Sequence, residues 1–206
     1  MKDRDYKLQG ENVYFHIYNR GNRKENIFLD DEDFNFFILR LKQNLYPELK
    51  RPRQMRFLPE DSFSLIAYCL LPNHFHLLIR QNKDVSVGKF MLKVATSYSM
   101  YFNKKYDKVG HVFQDEFKQK VIDSDSYLKW LCAYVHQNPQ LHNYCKAGDY
   151  RWSSYKEFLN PASPDKICDA SIVLGQFNSS IDFHDFVEDN LEILKQNKNI
   201  KKFCYD

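Results

Sequence analysis

The chain has 206 residues, 43% of them hydrophobic and 16% aromatic, with 30 Lys and Arg against 27 Asp and Glu for a formal net charge of +3. That apolar content over that length supports one buried core with an appendage and excludes a disordered chain, and no run approaches the roughly 18 uninterrupted apolar residues of a membrane span. No charged segment leading into an apolar one opens the sequence, and the five cysteines, at 69, 132, 145, 168 and 204, show no paired spacing for a disulfide framework or a Cys-type zinc site. The expectation is a cytoplasmic protein in a reducing compartment, with no membrane partner.

In chain order, "NVYFHIYNRGN" (12 to 22) alternates and is rich in β-branched and aromatic residues before Gly21, which predicts a first strand. The acidic run Asp30, Asp31, Glu32 and Asp33 suits a helix N-terminus, and Phe34, Phe37, Ile38 and Leu41 follow at helical spacing; the run reads as a cap rather than a metal-binding cluster. "NLYPELKRPRQMRFLPED" (44 to 61), with its internal prolines and basic bias, reads as a long connection. "FSLIAYCL" (63 to 70) and "HFHLLIR" (74 to 80) flank Leu71-Pro72-Asn73, which predicts a hairpin.

From about Val85 to Tyr106 a second amphipathic helix is expected, with Phe90, Met91, Val94, Tyr98, Tyr101 and Phe102 as its core stripe, and "GHVFQDEFKQKVI" (110 to 122) looks extended again. Residues 89 to 120 hold seven lysines against Asp107, Asp115 and Glu116, a stretch that can track a phosphate backbone or serve only as a solvated face. The order strand, helix, strand, strand, helix, strand is the βαββαβ pattern of a ferredoxin-like α+β sandwich with an antiparallel sheet. Its first and third strands are central neighbours, which brings His16 near the histidine pair. Asp123 to Asp125 can cap a third helix, "SYLKWLCAYVHQNP", which Pro139 closes, and one or two more helices are expected beyond the Pro-Ser break at 161 to 164. The predicted organisation is a domain over 1–160 and a C-terminal helical extension over 161–206.

Two features carry chemistry. In a strand starting at His74, alternation turns His74, His76 and Leu78 to one face and Phe75, Leu77 and Ile79 to the other, so two imidazoles stand side by side. On the third helix Tyr134 and Asn138, at i and i+4, aim a phenol and an amide at one point. Tyr127 lies two turns earlier on a similar face. Arg20, Arg23 and Lys24 after the first strand are candidate phosphate contacts.

With those residues in view, the sequence resembles the IS200-like Y1 transposases and their REP-associated tyrosine transposase relatives, HUH single-strand DNA endonucleases. The resemblance runs from about Tyr14 to Leu159 through "HIYNRGNRKENIF", "AYCLLPNHFHLLI", "YFNKKYDKVGHVFQDEFK", "YLKWLCAYVHQNP" and "YRWSSY". It implies that His74 and His76 bind a divalent cation, Mg²⁺ or Mn²⁺, that Tyr134 is the nucleophile, and that Asn138 completes the metal site. It also implies single-stranded or hairpin DNA as partner, a 5′-phosphotyrosine intermediate, and a monomer or homodimer. One departure is visible: Glu116 stands before Phe117 where the family pattern implies a basic residue.

Two other classes compete. A non-catalytic nucleic-acid binder on the same sheet would need exposed aromatics in the context of an RNA-recognition module, and none is apparent. A zinc hydrolase would want a third histidine or a carboxylate and a water nucleophile.

Overall fold

The computed structural model describes residues 11–46 and 58–196. Ten elements follow in chain order: β1 (Val13–Arg20), α1 (Asp31–Leu45), β2 (Phe63–Leu71), β3 (His74–Gln81), α2 (Val87–Lys105), β4 (Lys118–Ile122), α3 (Asp125–Leu141), α4 (Tyr155–Leu159), α5 (Ser171–Leu174) and α6 (Ser180–Gln196). The four strands make one sheet in the order β2-β3-β1-β4, with β1 antiparallel to both β3 and β4. That is the ferredoxin-like α+β topology. Most of the connection read over 44 to 61 lies outside the described residues. The chain divides into two compact units, one of the described residues through Leu65 plus Pro72–Ile122, the other of Ile66–Leu71 plus the described residues from Asp123 onward.

In the first unit the register sorts the side chains. Phe15↔Ile79, Ile17↔Leu77 and Asn19↔Phe75 are paired on one sheet face. The core there is aromatic: Phe37 of α1 meets Phe75 at 5.0 Å between ring centroids and Tyr98 of α2 at 5.2 Å, and all three are fully buried. Burying each such ring removes enough apolar surface to contribute about 2 kcal/mol or more. Helix α1 starts where the acidic run places it. Asp30 accepts from the amides of Glu32 and Asp33, and Asp33 returns the bond in a capping box.

Asp33 is itself fully buried. It accepts from the Leu29 amide at 2.7 Å, from the hydroxyls of Tyr106 at 2.8 Å and Tyr101 at 3.1 Å, and from Lys105 Nζ at 3.0 Å. Lys105, one of the seven lysines of the basic stretch, is therefore committed to the helix cap. Burial opposes its charge, but Asp30, Glu32, Tyr101 and Asp33 around it hold its pKa well above the ordinary lysine value.

Two expectations are corrected. Residues 110 to 117 are not strand: the Asn22 amide bonds the Val112 carbonyl and the Gln114 amide the Arg20 carbonyl, so this stretch is pinned alongside the end of β1 and regular pairing begins only at Lys118. Nor does Pro139 close the third helix. α3 runs on to Leu141 with Pro139 inside it. A proline within the last turn forfeits one amide bond, here to the Val135 carbonyl, at a point where few remain to be lost.

The second unit is built on α3 and α6. Leu128, Leu131, Cys132 and Val135 are buried on α3, as are Phe183, Val187, Leu191 and Leu194 on α6. Trp152–Ser154 lies against Ile66–Leu71 as a short edge: the Leu70 amide bonds Trp152 O at 2.9 Å and the Ser154 amide bonds Tyr68 O at 3.0 Å. Ser154 Oγ sits 2.9 Å from His136 Nε2. Burial keeps the His136 imidazole neutral, pushing its pKa down to about 3.

Candidate active site

The face of the sheet opposite the Phe15, Ile17 and Phe75 core carries the histidines. Across β1 and β3 the register pairs Tyr18↔His76 and Arg20↔His74, and across β1 and β4 it pairs Tyr18↔Lys118 and His16↔Lys120. Period-2 alternation thus gathers His16, Tyr18, Arg20, His74, His76, Lys118 and Lys120 on one face. His74 and His76 are both buried, 6% and 1% exposed, with ring centroids 5.3 Å apart and planes nearly perpendicular. They are not half-exposed strand histidines.

Each imidazole has a defined neighbour at Nδ1. His74 Nδ1 lies 2.6 Å from Asn73 Oδ1, and His76 Nδ1 lies 2.9 Å from His16 Nε2. The His16 and His76 rings stack at 5.1 Å and 18°, and Tyr18 stacks on both. Burial first, and the nearby Lys120 charge second, push the His16 pKa down to about 3, so its ring is neutral.

The turn that presents His74 is itself held. Gly21 N–H donates to Asn73 O, and the Ile27 and Phe28 amides both donate to Pro72 O. Gly21 is required there by space: a Cβ would fall 2.1 Å from the Glu25 carbonyl oxygen. Arg23 and Lys24, in the 3-10 turn that follows, are exposed and have left-handed backbones at φ 53° and 64°. Such a conformation costs a non-glycine residue about 1 kcal/mol or more. Arg20 is half-buried beside His74 on the histidine face.

Tyr134 and Asn138 belong to the second unit. Ser124 caps α3 by accepting from the Tyr127 amide. Tyr134 is 1% exposed, its ring parallel to that of Trp130 within 9° at 6.2 Å, and Trp130 stacks in turn on Tyr127 at 6.2 Å. Burial, with Asp123 adding, raises the pKa of Tyr127. Asn138 is fully buried; its Nδ2 donates to the Tyr134 carbonyl at 3.0 Å, while its Oδ1 has no hydrogen-bond partner among the described residues. A buried carbonyl oxygen in that state costs about 1–3 kcal/mol unless a ligand meets it. Gln137, its neighbour, turns toward α6 and donates to Val187 O and Glu188 Oε1, each at 3.2 Å.

Among the described residues no three His, Cys, Asp or Glu side chains gather to hold an ion. A cation here would be met by the two imidazoles, a donor type that suits zinc, copper, iron and nickel, and by neutral oxygens, which suit Mg²⁺ or Mn²⁺. Sequence reasoning missed Asn73, Lys118 and Lys120 as members of this neighbourhood. The alternation in "KQKVI" carried the signal for the two lysines, but it is hidden when 110 to 122 is taken as one extended run.

The sheet order, its helices and the element sequence define a transposase fold of the Y1 kind. The model of the family described as "Transposase IS200 like" matches residues 41–138, a segment that holds His74, His76, Tyr134 and Asn138 but not His16 or Arg20. Over that segment the chain is similar to a family of transposases. It is similar in fold to a REP-associated tyrosine transposase solved bound to a REP hairpin, with a TM-score of 0.57 and 16% identity over 82% of this chain and 93% of that one. A candidate transposase from Deinococcus radiodurans is also similar, at a TM-score of 0.41 and 11% identity over 71% of this chain and 98% of that one. No curated protein matches the sequence. No helix among the described residues is long and apolar enough to cross a membrane.

Proposed function

We propose that the chain is a metal-assisted, tyrosine-nucleophile endonuclease and strand transferase acting on single-stranded or hairpin DNA. The observation that carries this reading is that one family-matched segment, residues 41–138, holds the histidine pair together with Tyr134 and Asn138. The solved relative's REP hairpin supports hairpin DNA as the substrate here.

In the reaction the Tyr134 phenol sheds its proton as its oxygen attacks phosphorus. A P–O bond forms to tyrosine, the P–O3′ bond breaks, and the 3′ oxygen takes up a proton. The strand is left as a 5′-phosphotyrosine and a free 3′-OH. Attack by another 3′-OH reverses the step, so rejoining consumes no nucleotide. His74 and His76, through Nε2, and Asn138, through Oδ1, would hold the divalent cation. When bound, that ion supplies Lewis-acid stabilisation of the charge on the non-bridging phosphate oxygens. All three would be uncharged donors, so none would neutralise the cation's charge. Arg20, Arg23 and Lys24, together with Lys118 and Lys120, bring further positive charge to the flanking strand.

The test is incubation with end-labelled hairpin DNA and Mn²⁺. A covalent protein–DNA adduct with a released 3′-OH fragment is expected. Cleavage that yields only a free 5′-phosphate, with no adduct, would mean a water nucleophile. Binding without cleavage would mean a nucleic-acid-binding module.

A further inference from the structure

We propose that Asn73 and His16 are positioning residues that hold His74 and His76 in one tautomer, the ring proton on Nδ1 and the lone pair on Nε2, so that both imidazoles offer the same atom to a divalent cation. The inference rests on the metal-assisted reading above and extends it to two residues that no comparison assigns a role.

Donor and acceptor types settle where the His74 ring proton sits. A side-chain amide oxygen only accepts, so the 2.6 Å contact of Asn73 Oδ1 with His74 Nδ1 requires a proton on that nitrogen. The orientation of the amide is fixed by its other end, since Asn73 Nδ2 points to the Lys24 carbonyl at 3.4 Å, and a flipped amide would set two carbonyl oxygens against each other. A neutral imidazole protonated at Nδ1 carries its lone pair on Nε2.

For His76 the partner is another imidazole. At 2.9 Å between His76 Nδ1 and His16 Nε2, one ring donates and the other accepts. If His16 donated, His76 would carry its proton on Nε2 and present no lone pair there. A ligand histidine therefore needs His16 as acceptor, and an imidazole whose second nitrogen is held by such a partner gains both a fixed orientation and basicity.

The contact follows from strand register. His76 is paired with Tyr18, and His16 is the diagonal neighbour two residues away on the same face. The fully buried His16 stacks on His76, so the ring has little room to turn. Both holding residues are anchored apart from the ion: His16 by β1 between two strands, and Asn73 by the Gly21 and Lys24 contacts to its turn.

Long-range proton–nitrogen NMR of the metal-free full chain, with labelled histidine, reads which ring nitrogen bears the proton. Protonated Nδ1 on both His74 and His76 is expected, and a proton on Nε2 of either overturns the proposal. Calorimetric titration with Mn²⁺ gives the second readout. His16→Phe and Asn73→Ala remove the acceptors and are expected to weaken Mn²⁺ binding about 10- to 100-fold. His16→Gln and Asn73→Asp keep an accepting oxygen and are expected to restore most of it. Affinities equal to wild type in both acceptor-less variants would overturn this inference and leave the metal reading standing. A wild-type chain that takes up no Mn²⁺ would overturn both.

Discussion

Asn138 holds a buried carbonyl oxygen with no hydrogen bond among the described residues, while the amide end of the same side chain is satisfied by Tyr134. Removing that oxygen should cost the metal-free fold little, because the lost amide bond, worth about 1 kcal/mol, is offset by relief of a similar penalty. Asn138→Ala is therefore expected to change the urea midpoint only slightly while lowering Mn²⁺ affinity by tenfold or more. A large loss of stability with unchanged Mn²⁺ binding would assign Asn138 to packing alone. The exposed cations make a different prediction. Lys118 and Arg23 are exposed; if each neutralises one phosphate, replacing either by Ala should weaken binding to all DNA sequences alike. The slope of log affinity against log salt should fall by about 0.7 to 0.9 per residue. Weakening with an unchanged slope would mean these side chains do not meet phosphate.

At the scale of elements, the junction of α1 and α2 depends on one lysine. Lys105 lies within 3.0 Å of Asp30, Glu32 and Asp33 carboxylate oxygens, and Asp33 is fully buried. Lys105→Met keeps the stem and removes the charge, leaving Asp33 with its amide and tyrosine partners only. A loss of about 1.5–3 kcal/mol in urea unfolding is expected, whereas an exposed pair would lose under about 1 kcal/mol. In α3, His136 is buried and neutral with its pKa pushed down to about 3. The unfolded chain binds its proton near pH 6.5 while the folded chain does not, so its contribution to stability is fully present above about 6.5. Below that it is lost as pH falls toward 3, at about 1.4 kcal/mol per unit. Urea midpoints between pH 7.5 and 4.5 should show this decline, and His136→Gln should lessen it, leaving the share of the similarly buried His16. An identical slope in that variant would place the sensitivity elsewhere.

For the molecule as a whole, what could be read from the sequence follows the range of the interactions involved. The strand, helix and hairpin order was legible because alternation in "HFHLLIR" and the 3.6-residue recurrence of Phe34, Phe37 and Leu41 are local. So was the cap at Asp30. Placement of His74 and His76 on one face required only strand geometry. The His16–His76 contact was not legible in detail, since it depends on the register of two strands whose contacting residues lie 60 apart in the chain. The burial of Asn138 Oδ1 depends on packing around α3, and the run of α3 through Pro139 on how little a proline costs in a last turn.

The central claim is that Tyr134 is the nucleophile, and denaturing electrophoresis tests it most directly. Wild type, Tyr134→Phe and Tyr127→Phe are each incubated with labelled hairpin DNA and Mn²⁺. Each substitution removes one oxygen and keeps the ring, so the stacked rings of Tyr127, Trp130 and Tyr134 remain. The account predicts a covalent adduct for wild type and Tyr127→Phe, and none for Tyr134→Phe despite retained DNA binding. An adduct that persists in Tyr134→Phe, or that disappears only in Tyr127→Phe, would contradict it.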